Sequence, residues 1–344
     1  MLIKENLPLA PFTTFGIGGP ARWFVEAASE GEIAEAAAWA RQHEVALFVL
    51  GGGSNLLVSD MGFDGLVLHV AVKGFHQHGD LFRVAAGEDW DGCMEQTIQA
   101  GYAGLECLAG IPGTAGGTPV QNVGAYGQEV SSVIECVRAF DLVNHEFLEF
   151  TATECEFAYR RSRFNSTDRG RFIVTRVDYR LTLGGLPLLT YADLKAYFEG
   201  WDTVPSLIEV ASAVRSIRQA KGMLLVEGDP DCRSAGSFFK NPVVSTDVAE
   251  RVRAIAASSG APLRVYPGDD GLVKIPAAWL IEQAGFPKGY ALGEAGISSR
   301  HTLALINRGG ATAEAILALA HLIAAAVDAR FDIRLEMEPV MAGF

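Results

Sequence analysis

Apolar positions recur mainly at a period of two up to about residue 202, and at three and four residues beyond it. In the first part, Ile173, Thr175, Val177, Tyr179, Leu181 and Leu183 share one side of a run over 172–183, while Arg176, Asp178, Arg180 and Thr182 share the other. That alternation predicts a half-buried strand. Shorter strands are predicted over 46–50, 65–70 and 81–86, and two β-rich runs between 132 and 150 flank Asn144-His145 as a hairpin. Ser29-Glu30-Gly31-Glu32 reads as a capping box opening a helix to about residue 44, and 90–99 as a second helix. Past residue 202, Ile208, Ala211, Val214 and Ile217 mark a helix over 206–221. Further helices are expected over 245–258, 276–285 and 312–330, with Pro276 in a first turn. A last strand is expected over 331–341, with Phe331, Ile333, Leu335 and Met337 on one face and Glu336 and Glu338 on the other.

Length and charge narrow the class. The 344 residues suggest two or three domains that need no disulfide or metal staple. Lys and Arg total 28 against 41 Asp and Glu, a net charge of −13 with no basic stripe, which argues against a nucleic-acid partner. The five cysteines form no C-x-x-C pair and read as reduced thiols. The first residues lack an apolar leader, and the apolar run 315–327 is interrupted by His321 and too short to span a membrane. The expectation is a soluble cytoplasmic protein with no membrane partner. His76 and His78 have no ligating neighbours and read as surface residues, so no metal site is expected.

Three glycine-rich segments carry the candidate chemistry. Gly16-Ile17-Gly18-Gly19-Pro20-Ala21 matches G-x-G-x-x-A, but Pro20 and the β-like Trp23-Phe24-Val25 stand where a dinucleotide-binding helix should begin. Gly51-Gly52-Gly53-Ser54-Asn55 follows a strand and precedes Leu56-Leu57-Val58; its bare backbone can approach an anion and aim successive N–H groups at it. The third runs from Gly110 through Pro112, Gly113, Thr114, Gly116 and Gly117 to Gln121, Asn122, Gly124 and Ala125, a loop long enough to be functional. Two separate cradles point to a large cofactor with its own diphosphate.

At these residues the chain resembles a known family. Thr14-Phe15-Gly16-Ile17-Gly18-Gly19, LGGGSNL over 50–56 and GLECLAGIPGTAGGTPVQNVGAYGQEV over 104–130 look like the FAD-binding half of UDP-N-acetylenolpyruvoylglucosamine reductases. Ala235 to Pro242, AGSFFKNP, looks like that family's proton-donor motif, and Ala277 to Gly285, AAWLIEQAG, like its substrate-domain helix. The resemblance implies an α+β chain: a vanillyl-alcohol-oxidase-type (PCMH-like) two-part FAD-binding module plus a separate α+β substrate-binding domain. It implies residues 1–68 with 331–344 as the first FAD-binding part, 69–202 as the second and 203–330 as the substrate domain. The implied reaction is reduction of UDP-N-acetylglucosamine enolpyruvate to UDP-N-acetylmuramate, a cytoplasmic step of peptidoglycan synthesis, with bound FAD and NADPH as co-substrate. An oxidase or dehydrogenase on another substrate with the same FAD fold, and a catalytically silent nucleotide-sugar binder, are the competing readings.

The resemblance also assigns roles. Tyr159-Arg160-Arg161-Ser162-Arg163-Phe164 matches a motif that gives Arg160 to the substrate carboxylate, a task suited to a guanidinium fork; Arg161 and Arg163 read as solvated charges. Ser237 matches the proton donor and Glu338 the catalytic glutamate, although the residue pattern alone does not separate Glu338 from Glu336. Tyr191, in LTYADL, resembles the loop of the subclass that closes a tyrosine over the nucleotide sugar, with Lys221 and Asn241 beside it and His301 near the substrate. After Lys221 the chain departs from the family's shorter K-L-P-D-P form, and Pro339 follows Glu338.

Overall fold

Ser29 opens the first helix as its spacing predicts. Its hydroxyl accepts the Glu32 N–H at 3.2 Å, Glu32 reaches back to the Ala28 N–H at 2.8 Å, and the helix runs Glu30–Gln42. It carries the chain from the strand Pro20–Ala27 to the strand Ala46–Leu50, both of which pair in parallel with Phe63–Val70 between them. Ile3–Pro8 adds the antiparallel fourth strand on the far side of Pro20–Ala27. The Gly16–Gly19 loop therefore feeds a strand, in keeping with the exclusion of a dinucleotide-binding turn there.

This architecture comes from a computed structural model that describes residues 1–344, Asp269 aside. Two compact units divide the chain: residues 1–8, 20–53 and 63–220 form the first, and 9–19, 54–62 and 221–344 the second. The first holds the four-stranded sheet and an antiparallel five-stranded sheet in the order Glu146–Thr151, Ile134–Asp141, Phe172–Arg180, Leu81–Ala85, Phe75–His78. Because Phe172–Arg180 lies at the centre, Val174 and Asp178 are buried as well as the alternating set of Ile173, Thr175, Val177 and Tyr179. Arg176 holds the buried Asp178 at 2.7 Å. The helices Trp90–Gln99 and Leu207–Ala220 belong to the same unit, the first capped by the Asp89 side chain on the Gly92 N–H. His76 and His78 sit on an edge strand, and both are exposed.

The predicted hairpin is present, with His145 in the left-handed region at φ 58°. Asp141 builds the turn: it accepts the Val143 N–H at 2.8 Å and the Arg171 guanidinium at 2.7 Å. The Arg171 bond brings its carboxyl down to about 2, against burial. A folded-state value below the unfolded one means that this contribution is complete above the unfolded pKa of about 3.9 and is lost as pH falls towards 2. We therefore expect the melting-temperature gap between the native protein and Asp141→Asn to be widest near neutrality and to close as pH drops through that window, a trend that calorimetry at stepped pH can follow.

In the second unit the helices Thr246–Ser259, Ala277–Gln283 and Ala313–Phe331 pack around Phe15, Phe238, Phe239, Ile281, Ile316 and Ile323. Asp60 accepts the Ala313 and Glu314 N–H groups at 2.8 and 3.0 Å, anchoring the N-terminus of the longest helix. Two expectations are corrected here. Pro276 is the N-cap, and the helix starts at Ala277. The last strand is confined to Val340–Ala342, paired in parallel with Leu56–Val58. Phe331 still belongs to the preceding helix, Asp332 turns the chain at φ 55°, and only one bridge, Met337 to Phe239, precedes Pro339, which has no N–H to donate. Burial nevertheless follows the alternation: Ile333 is inside, Leu335 and Met337 half-buried, Arg334 and Glu336 outside.

Candidate active site

In the first unit the two glycine loops meet backbone to backbone. A Cβ on Gly52 would stand 2.6 Å from the Gly113 Cα and 3.1 Å from the Thr114 nitrogen, and one on Gly51 would stand 3.1 Å from the Thr114 hydroxyl oxygen. Only glycine lets the loops close on each other. The start of the second loop is pinned on both sides: the Gly110 N–H donates to Asp91 at 2.7 Å, and its carbonyl accepts from Arg218 Nε at 3.1 Å. Thr118 is buried and bonded to the Tyr179 hydroxyl at 2.6 Å. Pro112, Gly113, Thr114, Gln121, Gly124 and Ala125 stay half-exposed, Gly116 packs on Ala86, and a Cβ on Gly117 would meet nothing. The rim thus offers backbone and small polar groups to a ligand, which suits a dinucleotide's diphosphate.

The residues that frame this loop are strained. Asn122, Tyr126 and Arg160 all take left-handed backbone angles, at φ 46°, 50° and 54°. Such conformations persist only where surrounding contacts hold them, and they cluster at functional sites. Here the hold is visible: Arg160 Nη2 donates to the Gly124 carbonyl at 2.7 Å, its guanidinium lies 5.4 Å from the Tyr159 ring, and a Cβ on Gly124 would stand 3.3 Å from Arg160 Nη1. Both amide hydrogens of Asn122 are committed inside the protein, to Glu129 at 3.0 Å and the Ala158 carbonyl at 3.1 Å. Ser162 is buried and caps the following turn in a capping box with Asn165, and Arg163 pairs with Asp168 at 2.6 Å instead of being solvated. Tyr191 packs edge-on against Tyr126 with ring centroids 5.4 Å apart, and precedes the short helix Ala192–Tyr197.

In the second unit a stretch of antiparallel pairing collects the acid–base candidates. The Glu338 N–H donates to the Phe238 carbonyl at 2.9 Å, and the Lys240 N–H donates to the Glu336 carbonyl at 2.9 Å, on either side of the Phe239–Met337 bridge. Glu338 therefore stands opposite Phe238, the residue that follows Ser237 in the chain. The Glu336 carboxylate pairs with Lys240 at the surface. Phe238 and Phe239 bury their rings against each other and Phe238 against Phe15, which fixes the backbone that carries Ser237. Asn55 brackets Glu338: its side-chain N–H reaches the Glu338 carbonyl at 3.3 Å, and its own carbonyl accepts from Val340 at 3.0 Å. Ser54 shares the turn, its carbonyl 3.4 Å from the Thr14 hydroxyl. The Phe238 N–H donates to the Leu303 carbonyl at 2.8 Å, so the His301 turn joins the same cluster. Asn241 lends its amide oxygen to the N–H of Ala277 at 2.9 Å, at the start of the next helix. Lys221 opens the segment that leads to this region.

Arg218 was not singled out from the sequence. It shares a helix face with Ala211 and Val214, and a cation on that buried face was the available signal. Burial lowers its pKa, opposed by Tyr126 and Asp91. Among the described residues, no group of three or more His, Cys, Asp or Glu side chains could hold a metal ion, and no helix is long and apolar enough to cross a membrane.

Comparison with known proteins bears on this arrangement. Residues 229–342 match the profile described as UDP-N-acetylenolpyruvoylglucosamine reductase, C-terminal domain, and residues 21–146 match an FAD binding domain. A UDP-N-acetylenolpyruvoylglucosamine reductase of Streptomyces coelicolor is 45% identical, with 98% of this chain and 90% of the relative covered. One of Pseudomonas putida is 39% identical, with 98% of each covered. The crystal structure of the corresponding reductase from Thermus caldophilus superposes with a TM-score of 0.69 at 26% identity, covering 99% of this chain and 100% of that one.

Proposed function

This chain belongs to the UDP-N-acetylenolpyruvoylglucosamine reductase family, and from that premise we propose that it reduces UDP-N-acetylglucosamine enolpyruvate to UDP-N-acetylmuramate with NADPH, in the cytoplasm. The observation that supports the reading is the pairing of 238–240 with 336–338, which brings the segment carrying Ser237 and the segment carrying Glu338 together. The glycine cradle fits FAD, since its close loop contact excludes every side chain larger than hydrogen at Gly52. When bound, FAD supplies the hydride that NADPH has delivered to it.

Hydride arriving at C3 of the enolpyruvyl ether leaves negative charge on C2 and its carboxylate. Arg160 holds that carboxylate and stabilises the charge as an enolate. Ser237 delivers the proton to C2, which completes the addition of two hydrogens across the double bond. Glu338 supports Ser237 as an acid, because a serine hydroxyl alone is a weak one. Tyr191, Lys221, Asn241 and His301 bind the nucleotide-sugar, with Lys221 on its diphosphate.

NADPH consumption is therefore expected to depend on the enolpyruvyl sugar. Following absorbance of the flavin-loaded protein under anaerobic conditions checks this. Turnover of NADPH beyond one equivalent per flavin in the absence of the sugar would sink the assignment.

A further inference from the structure

Residues 222–229, GMLLVEGD, separate Lys221 from the 3-10 turn Pro230–Cys232, and they contain no helix or strand. A segment of this kind anchors a lysine poorly unless something ties it down. Here it is tied to the turn Ser298–His301. Arg300 Nη2 donates to both carboxylate oxygens of Asp229 at 2.5 Å, and its Nε donates to Asp231 at 2.9 Å. Asp231 is 5% exposed and also accepts the Ser299 hydroxyl at 2.7 Å and the Ser299 N–H at 3.3 Å. The Arg300 bond holds the Asp229 carboxyl below its ordinary range. At Asp231 burial pushes upward, and the Ser299 and Arg300 bonds outweigh it.

Two of the substrate-binding candidates, Lys221 and His301, touch this knot through the backbone. Gly222 follows Lys221 at φ 65°, and a Cβ there would stand 3.0 Å from both Arg300 Nε and the Asp231 Cβ. The peptide after Lys221 thus lies directly on the guanidinium. On the other side, the N–H groups of Arg300 and His301 both donate to the buried Ser298 hydroxyl, at 3.0 and 3.2 Å. His301 Nδ1 accepts the Leu303 N–H at 3.0 Å, which leaves the ring proton of the neutral imidazole on Nε2. At the far end, the Cys232 thiol donates to the Leu224 carbonyl at 2.7 Å and folds the segment back on itself.

We propose that Arg300, gripped by Asp229 and Asp231, is a positioning residue for the nucleotide-sugar: it locks the segment behind Lys221 to the His301 turn, so that the two donors engage the substrate from fixed positions. This rests on the reading of Lys221 and His301 as substrate contacts. Arg300 acts through its neighbours, because its guanidinium is spent on two carboxylates.

The test measures binding of UDP-N-acetylglucosamine enolpyruvate to the oxidised holoenzyme through the perturbation of its flavin spectrum, with no turnover. Arg300→Ala is expected to keep the flavin spectrum, weaken binding about tenfold and leave the rate at saturating sugar within about twofold. Arg300→Lys is expected to recover most of the loss. Lys221→Ala is expected to weaken binding in the native background and to cost clearly less in the Arg300→Ala background, the non-additivity of residues acting as one unit. Unchanged binding in a flavin-loaded Arg300→Ala protein, or full additivity of the two losses, overturns the latch. If Arg300→Ala does not retain flavin, Asp229→Asn decides in its place, since it keeps the Asp231 pair; a loss of a few-fold supports the latch and no loss overturns it. Unchanged binding in Lys221→Ala alone removes the underlying reading, and the latch with it.

Discussion

Ser237→Ala should leave reduction of the flavin by NADPH at its native rate and slow reoxidation by the enolpyruvyl sugar about a thousandfold, inside the range of roughly 10²–10⁴ that positioned proton transfer contributes. The reason is division of labour. The hydroxyl is needed only after the hydride has moved, when C2 carries charge and awaits a proton. Its backbone is held independently of the hydroxyl, by the buried rings of Phe238 and Phe239, the Phe238 bonds to Leu303 and Glu338, and Gly236 at φ 72°. The substitution therefore removes one oxygen from a frame that does not depend on it. Anaerobic stopped-flow at the flavin absorbance separates the two half-reactions, and an equal loss in both would contradict the proton-donor role.

Gly52→Ala is expected to yield a folded protein that retains little flavin. The added methyl would stand 2.6 Å from the Gly113 Cα and 2.9 Å from its carbonyl carbon, with no flexible side chain there to yield. The loops must part, at a cost of about 1–3 kcal/mol, a weakening of cofactor affinity of about five- to 150-fold. Gly117→Ala is the control: a Cβ at that position meets nothing, so flavin content should stay native. The ratio of flavin absorbance to protein absorbance after purification reads both. Native flavin content in Gly52→Ala would show that the cradle tolerates a wider gap than the contact implies.

Much of this fold was legible because its signals are local. The Ser29 cap, the strand Ala46–Leu50 and the helix Trp90–Gln99 stand where periodicity and capping put them, since each depends on residues a few positions apart. The same locality misled at the C-terminus. The alternation of Phe331, Ile333, Leu335 and Met337 does govern burial, but a strand needs a partner along its whole length, and the chain supplies one only for Val340–Ala342 and at Met337. Arg163 likewise reads as a solvated charge until Asp168 is seen to close on it.

The sequence by itself determined the glycine cradles, the motif carrying Ser237, the presence of two adjacent carboxylates and the family resemblance, because residue type and short spacing are sufficient for each. Only the tertiary structure decided which residue stands opposite each carboxylate. Glu336 and Glu338 are equivalent by period, and the backbone register with 238–240 sets Glu336 opposite Lys240, with which its carboxylate pairs, and Glu338 opposite Phe238. The anchoring of Lys221 was decided in the same way, since Asp229 and Arg300 stand 71 positions apart along the chain. Register and long-range ion pairs arise from the closing of distant segments on one another, and that closure is set by the packed core as a whole, not by any window of the chain.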